Sequence, residues 1–196
     1  MPSKQLSEIE PALYIVSTPI GNLEDITLRA LNVLRQVDII AAEDTRKTSR
    51  LLAHYEIKTP LVSCHEHNEE KRSRELIEKI QNGFKVALVS DAGTPSISDP
   101  GFRFVGMAVK YGVKVVPIPG VSAVIAALSV SGLSTDSFIF IGFPPKKPGR
   151  RKKMLEGLSG DNRTLIFYES PHRIIKFLEE LLSVFGPREA SLSREI

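Results

Sequence analysis

Short apolar runs alternate with amphipathic segments along the first part of the chain. The runs are ALYIVS (12–17), DIIAA (38–42), PLVS (60–63), KVALVS (85–90) and VKVVPI (113–118). None alternates polar with apolar positions, the pattern of parallel strands covered on both faces. Between them lie TLRALNVLRQ (27–36), TRKTSRLLAHY (45–55), EEKRSRELIEKIQNG (69–83) and DPGFRFVGMAVKYG (99–112), which read as helices. The last is framed by Asp99 as N-cap, Pro100 in the first turn and Gly112 at C′. Strand and helix in repeated alternation predict an α/β domain with an open parallel sheet over 1–118.

Near residue 119 the pattern changes. PIPGVSAVIAALSVSG (117–132) is a turn and a small-residue apolar helix. SFIFIGF (137–143) and TLIFYES (164–170) are strands with aromatic residues, unlike the aliphatic ones before them. Ser170, Pro171 and Gly186-Pro187 frame a last helix. Its predicted buried stripe is Ile174, Phe177, Leu178, Leu181, Leu182 and Phe185. SLSREI is strand-like and has no closing element after it. These features predict a second α/β domain over 119–196, incomplete at its C-terminal end.

Composition adds exclusions. Hydrophobic residues are 42% and charged residues 25% of the 196, ordinary globular values. One cysteine, Cys64, excludes an internal disulfide and a zinc site made of cysteines alone. The N-terminal MPSKQLSEIEP lacks the apolar core of a leader, and no run approaches a membrane span. A reduced, cytoplasmic protein without a membrane segment is the expectation. The net charge of +3 names no partner.

Candidate chemistry lies after the strands, since ligands of open α/β sheets bind beyond the strands' carboxyl ends. The segments there are STPIGNLEDIT (17–27), EDTR (43–46), SDAGTPSISDPG (90–101), PIPGVSA (117–123) and YESPHR (168–173). Their small residues let backbone approach a ligand closely. Neither GxGxxG nor GxxxxGK[ST] occurs. Acids stand where a phosphate cradle would want bare amides and a cation: Glu24, Asp25, Glu43, Asp44, Asp91 and Asp99. They suit a cationic or hydroxyl-bearing ligand, since an opposite charge at about 4 Å is worth roughly 4 kcal/mol near a protein surface. S-adenosylmethionine has this profile, with a sulfonium, an ammonium and a ribose diol. The same acids also serve as ordinary caps and turn residues.

STPIGNLEDIT, AAEDTR, SDAGTPSISDPG, PIPGVSA, FIGFPP and YESPHRI, in this order, resemble the ribosomal small-subunit RNA methyltransferase I family. That family belongs to the tetrapyrrole-methylase-like S-adenosylmethionine-dependent methyltransferases. The resemblance runs from about residue 11 to the end. It implies a tetrapyrrole-methylase-like fold of two α/β domains with the cofactor cleft between them, a homodimer, and 2′-O-methylation of a cytidine in the decoding region of 16S ribosomal RNA. The small ribosomal subunit is then the partner. Matched to the family's motifs, Pro19, Asp91, Gly93, Ile97, Ser98, Ser122, Ala123, Phe143 and Tyr168 are the cofactor-binding residues. Family members usually continue past a sequence like SREI, which is where this chain stops.

A ribose hydroxyl is a weak nucleophile and calls for a base. Asp25, Glu43, Asp44, Asp91 and His172 are the candidates, with Asp25 or Asp44 preferred as catalytic residue. SCHEHNEEK (63–71) has the residue types of a metal site, but zinc sites usually need three or four well-placed ligands, and His54 and His172 are the only other histidines. No metal is expected. KKPGRRKK (146–153) holds Lys146, Lys147, Arg150, Arg151, Lys152 and Lys153. Such a run is a solvated loop and helix start or a phosphate contact, and the resemblance favours RNA binding. Two other functions fit the same fold: a methyltransferase for a small, tetrapyrrole-like molecule, and a non-catalytic RNA-binding module.

Overall fold

In the computed structural model, residues 8–195 are described. The first seven residues of the N-terminal stretch discussed above, and Ile196 of SREI, lie outside them. The chain divides into two compact units, one ending at Ser122 and the other beginning at Ala123.

In the first unit the five apolar runs become β1 (Leu13–Val16), β2 (Ile39–Ala42), β3 (Leu61–Ser63), β4 (Val86–Val89) and β5 (Val115–Ile118). They form one parallel sheet in the order β3-β2-β4-β1-β5. The connecting helices are α1 (Leu28–Gln36), α2 (Thr45–His54), α3 (Glu69–Gln81) and α4 (Phe102–Lys110). Burial on both faces explains the missing alternation. Tyr14, Val16, Ile40, Ala42, Ala87 and Val89 pack against Leu31, Leu34 and Leu52 of α1 and α2. Leu13, Ala41, Val86 and Leu88 point the other way, against Leu76, Ile77, Ile80, Phe104 and Ala108 of α3 and α4. Thr27 and Asp44 cap α1 and α2 with their side chains, and Gly112 follows α4 with φ 69°.

The start of α4 differs from expectation. Asp99 is not its cap and Pro100 is not in its first turn. Gly101, at φ 124°, is the N-cap and the helix begins at Phe102. A cap is supplied instead by another helix: Glu69 Oε1 accepts from the amides of Gly101 and Phe104, at 3.0 and 3.1 Å.

The second unit holds α5 (Ala123–Val130), β6 (Phe138–Gly142), α6 (Pro148–Leu158), β7 (Thr164–Phe167) and α7 (Ile174–Phe185). β6 and β7 pair in parallel, joined through α6. The basic run is a short loop at Lys146 and Lys147 leading into a helix, with Pro148 in the first turn of α6. Arg173, not Ser170, is the N-cap of α7; Ser170 Oγ accepts from the His172 amide in the turn before it. The predicted stripe of α7 is only partly buried. Phe177 is 3% exposed, whereas Leu178 and Leu182 are 37% and 61% exposed. The two-stranded β6–β7 ladder covers the Phe177 side, with the Phe167 and Phe177 rings 5.4 Å apart. Residues 191–195 form no strand, because an extended segment becomes one only when a neighbour takes up its backbone hydrogen bonds.

Candidate functional site

Strand order decides which loops meet. β4 lies between β2 and β1, and β5 flanks β1. The loops after β2, β4, β1 and β5 are therefore neighbours along one edge of the sheet. Hydrogen bonds join them. Thr18 and Gly93 exchange both backbone bonds at 2.9 Å, a one-residue antiparallel bridge between the first and fourth loops. Ser17 Oγ meets Thr94 Oγ1 at 2.9 Å, and Thr18 Oγ1 donates to Ser90 O. Asp91 Oδ1 accepts from the Asp44 amide at 3.1 Å, tying in the loop after β2. On the β5 side the Pro119-Gly120 turn presses on β1: a Cβ at Gly120 would lie 2.7 Å from Ser17 Cβ.

A cavity of about 190 Å3 opens among these loops, lined by Thr18, Pro19, Leu23, Lys47, Thr48, Arg50, Leu51, Ser90 and Asp91. Pockets for whole drug-sized ligands span roughly 300–1,000 Å3. A fragment such as one ribose or one base fits this one. Its walls combine the apolar Pro19, Leu23 and Leu51 with hydroxyls and two cations. Lys47, Thr48 and Arg50 were not legible as site residues, because only the packing of α2 against the loop edge brings them there.

The acids divide by surroundings. Asp44 caps α2 and makes a paired contact with Arg46, from Nε to Oδ1 at 3.1 Å and from the terminal nitrogen to Oδ2 at 2.8 Å. The Arg46 hydrogen bonds hold its carboxyl far below the usual carboxylate range. Asp44 is thus engaged in capping α2 and in pairing with Arg46. Asp91 is also engaged: Lys47 Nζ lies 2.6 Å from its Oδ2. Asp25 is exposed, the last residue of a 3-10 turn (Leu23–Asp25) capped by Asn22. Glu43 is different. Burial pushes its carboxyl up, and the charges of Asp91 and Asp99 add to this. Burial raises Asp99 too, opposed by a hydrogen bond with Ser90 and reinforced by Asp91. Glu43 and Asp99 are thus half-buried acids in need of positive charge, and a cofactor bearing sulfonium and ammonium groups fits them.

The loop 90–101 shows how small residues are used. Gly93 and Pro95 are buried, while Ile97 and Ser98 face solvent. Gly93 has φ 82°, and Ser96 and Ser98 hold left-handed conformations at φ 73° and 62°. Such backbone is rare outside glycine and clusters at ligand sites. Ser122 is the last residue of the first unit, and Ala123 opens α5. In the second unit Phe143 and Tyr168 are neighbours, their ring centroids 5.4 Å apart. Of the nine sequence-predicted cofactor residues, Pro19 and Asp91 share the cavity, Gly93, Ile97 and Ser98 share the adjoining loop, and Phe143 and Tyr168 share a ring contact.

The basic run also divides. Lys146, Lys147, Arg150, Lys152 and Lys153 are exposed. Arg151 is 6% exposed, and its guanidinium is taken up by Glu180 of α7 and the carbonyls of Pro145 and Lys146. Its expected phosphate contact is therefore corrected: it clamps α6 to α7. In the SCHEHNEEK segment, Asn68 ties back to Ser63 and accepts from the His65 amide. Burial pushes the Cys64 thiol up to about 11, which keeps it protonated at neutral pH. Among the described residues no group of three or more His, Cys, Asp or Glu could hold a metal ion, and no helix is long and apolar enough to cross a membrane.

Comparison with known proteins adds the following. The Tetrapyrrole (Corrin/Porphyrin) Methylases match over residues 12–194. A ribosomal RNA small subunit methyltransferase I of Pseudomonas aeruginosa is 54% identical over 185 residues, 94% of this chain and 66% of the relative. The protein of the same name from Vibrio cholerae is 56% identical over 187 residues, 95% of this chain and 65% of the relative. That of Halalkalibacterium halodurans is 50% identical over 194 residues, 99% and 67%. The chain thus spans about two thirds of the length of these curated relatives. Among solved structures, uroporphyrin-III-C-methyltransferase from Thermus thermophilus superposes with a TM-score of 0.62 at 23% identity, over 89% of this chain and 74% of that one. Diphthine synthase gives 0.61 at 19%, over 86% and 71%. At those identities the likeness concerns the fold alone.

Proposed function

Because the chain belongs to the tetrapyrrole methylase family, and within it to the ribosomal RNA small subunit methyltransferases I, we propose that it methylates ribosomal RNA with S-adenosylmethionine. The proposed target is the 2′-oxygen of a cytidine in the decoding region of 16S RNA. The observation that carries this reading is the 50–56% identity to relatives of that name, over nearly the whole of this chain. The exposed cations of α6 support an RNA substrate over a small molecule, which has no use for them.

S-adenosylmethionine, when bound, supplies an electrophilic methyl on a sulfonium. The chain supplies position, and aligning donor and acceptor contributes on the order of 7–11 kcal/mol in such reactions. Gly93, Ile97 and Ser98 offer backbone to the cofactor's methionine part, with Asp99 answering its positive charge. Pro19, Asp91, Ser122, Ala123, Phe143 and Tyr168 complete the proposed cofactor set. The cavity beside Pro19 seats part of the target nucleotide, with Arg50 at its wall as the cation for the strand's phosphates.

Among the candidate bases Glu43 has the surroundings for the task. Burial and the neighbouring acids raise its pKa, and a carboxylate of higher pKa accepts a proton with more driving force. Asp25 remains the second candidate, beside Leu23 of the cavity wall. The assembly we propose is a cytoplasmic homodimer working on the small ribosomal subunit. Titration calorimetry with S-adenosylmethionine tests the cofactor reading: saturable one-site binding is expected, and no heat at millimolar cofactor contradicts it.

A further inference from the structure

The segment between β3 and α3 plays no part in the reading above, yet it is tightly built. Asn68 accepts from the His65 amide at 2.8 Å and donates to Ser63, and Arg72 Nε donates to the Ser63 carbonyl. The residue this arrangement delivers is Glu69, the first of α3 and 5% exposed. Its Oε1 reaches across to α4 and accepts from Gly101 and Phe104, the N-cap amide and the third of the helix. Gly101 has no side chain to cap with. A side chain there is strained by φ 124°, and a Cβ would lie 2.8 Å from both Leu88 Cδ2 and Ser96 Oγ, which would have to shift.

These contacts bear on the loop before α4. Its near end is held by the Thr18–Gly93 bridge and by Ser17 on Thr94. Its far end, at Gly101, is held by Glu69 and by the Ser96 amide on the Pro100 carbonyl. Between the two ends Ser96 and Ser98 sit in left-handed backbone, which persists only when the surroundings over-determine it. Ile97 and Ser98, both exposed, lie in this stretch.

We infer that Glu69 is a positioning residue: by capping α4 from α3 it fixes the exit of loop 90–101 and so the shape that residues 93–98 offer to the cofactor. The inference rests on the proposed role of that loop in binding S-adenosylmethionine. It gives Glu69, one of three acids in the SCHEHNEEK segment, a purpose that needs no metal. Glu69 touches neither cofactor nor substrate and acts through the loop.

The test uses the whole chain with Glu69→Ala and Glu69→Gln, the second keeping an oxygen acceptor. Two readouts are taken: amide hydrogen exchange across 94–104 without cofactor, and the Kd for S-adenosylmethionine. Losing two buried hydrogen bonds should make Glu69→Ala exchange about tenfold or more faster in that segment and bind about tenfold or more weaker. Glu69→Gln should recover both to within about threefold of the parent. A folded Glu69→Ala with parental exchange and parental Kd overturns the inference, as does one that merely melts at lower temperature. Should Glu69→Ala not fold, Glu69→Asp replaces it; the shorter acid cannot reach both amides, and behaviour equal to Glu69→Gln overturns the inference. If the parent itself binds no cofactor while exchange follows the expected order, the cofactor reading fails and the hold of Glu69 on the loop stands.

Discussion

Asp91 and Glu43 show how two acids on neighbouring loops come to differ. Asp91 accepts from the Asp44 amide and pairs with Lys47, so its carboxylate joins the second and fourth loops and is not left to answer a ligand's charge. From sequence alone the two loops read simply as acidic. The neutralising cations, Arg46 and Lys47, stand next to them in EDTRK, but which acid each would meet depends on the fold of α2. Glu43 is half-buried, and burial with the charges of Asp91 and Asp99 outweighs the Asp91 amide and the Lys47 charge that favour its ionised form. A base must be ionised, so activity is lost as pH falls through its pKa, which lies above the ordinary 4.5. Burial also means that ionised Glu43 opposes folding: stability is full below the unfolded pKa and declines as pH rises through the raised folded one. Glu43→Gln is therefore expected to lower kcat by roughly 10²–10⁴-fold. It should remove the acid limb of the pH–rate profile, and the variant should melt no lower than the parent at pH 7. A variant with parental kcat and an unchanged profile would move the role to Asp25.

At the scale of elements, α6 carries the chemistry that charge runs usually conceal. Lys146, Lys147, Arg150, Lys152 and Lys153 are exposed around its first turns, while Arg151 is turned inward to Glu180. Charge reversal or neutralisation should separate the two kinds. Replacing Arg150, Lys152 and Lys153 by glutamine is expected to weaken RNA binding and to flatten the dependence of log K on log salt by about 0.7–0.9 per lost phosphate contact. Cofactor affinity should not change. Arg151→Gln instead strips a partly buried pair and its carbonyl contacts, and should show first as a lower melting temperature. Filter binding across a salt series, with melting curves alongside, distinguishes them. The sequence could not make this division, because six adjacent cations look alike until Pro148 starts a helix and the helix turns one of them toward α7. Capping was legible where it is local, as at Thr27, and illegible at α4, where the acceptor comes from Glu69, 32 positions away from Gly101.

For the molecule as a whole, the parallel sheet was legible because the aliphatic runs are short, bounded and without alternation. All five lie within the predicted stretches, each shorter by one or two residues at its ends. What periodicity could not supply is the strand order. Nothing local says that β4 sits between β1 and β2, and that placement is what brings the SDAGTPSISDPG loop against both STPIG and EDTR. The second unit was less legible. The stripe of α7 was drawn from spacing alone, but a two-stranded ladder covers less of a helix than a full sheet does, so Leu178 and Leu182 remain exposed. The ordered motifs carried more functional information than composition or charge, and the family they resemble is the one to which the chain belongs. The most direct test of the central claim is transfer of labelled methyl from S-adenosylmethionine to small ribosomal subunits, free 16S RNA and a tetrapyrrole, followed by nucleoside analysis. Label recovered in 2′-O-methylcytidine from the RNA is the predicted result; label in the tetrapyrrole alone, or in none of the three, contradicts it.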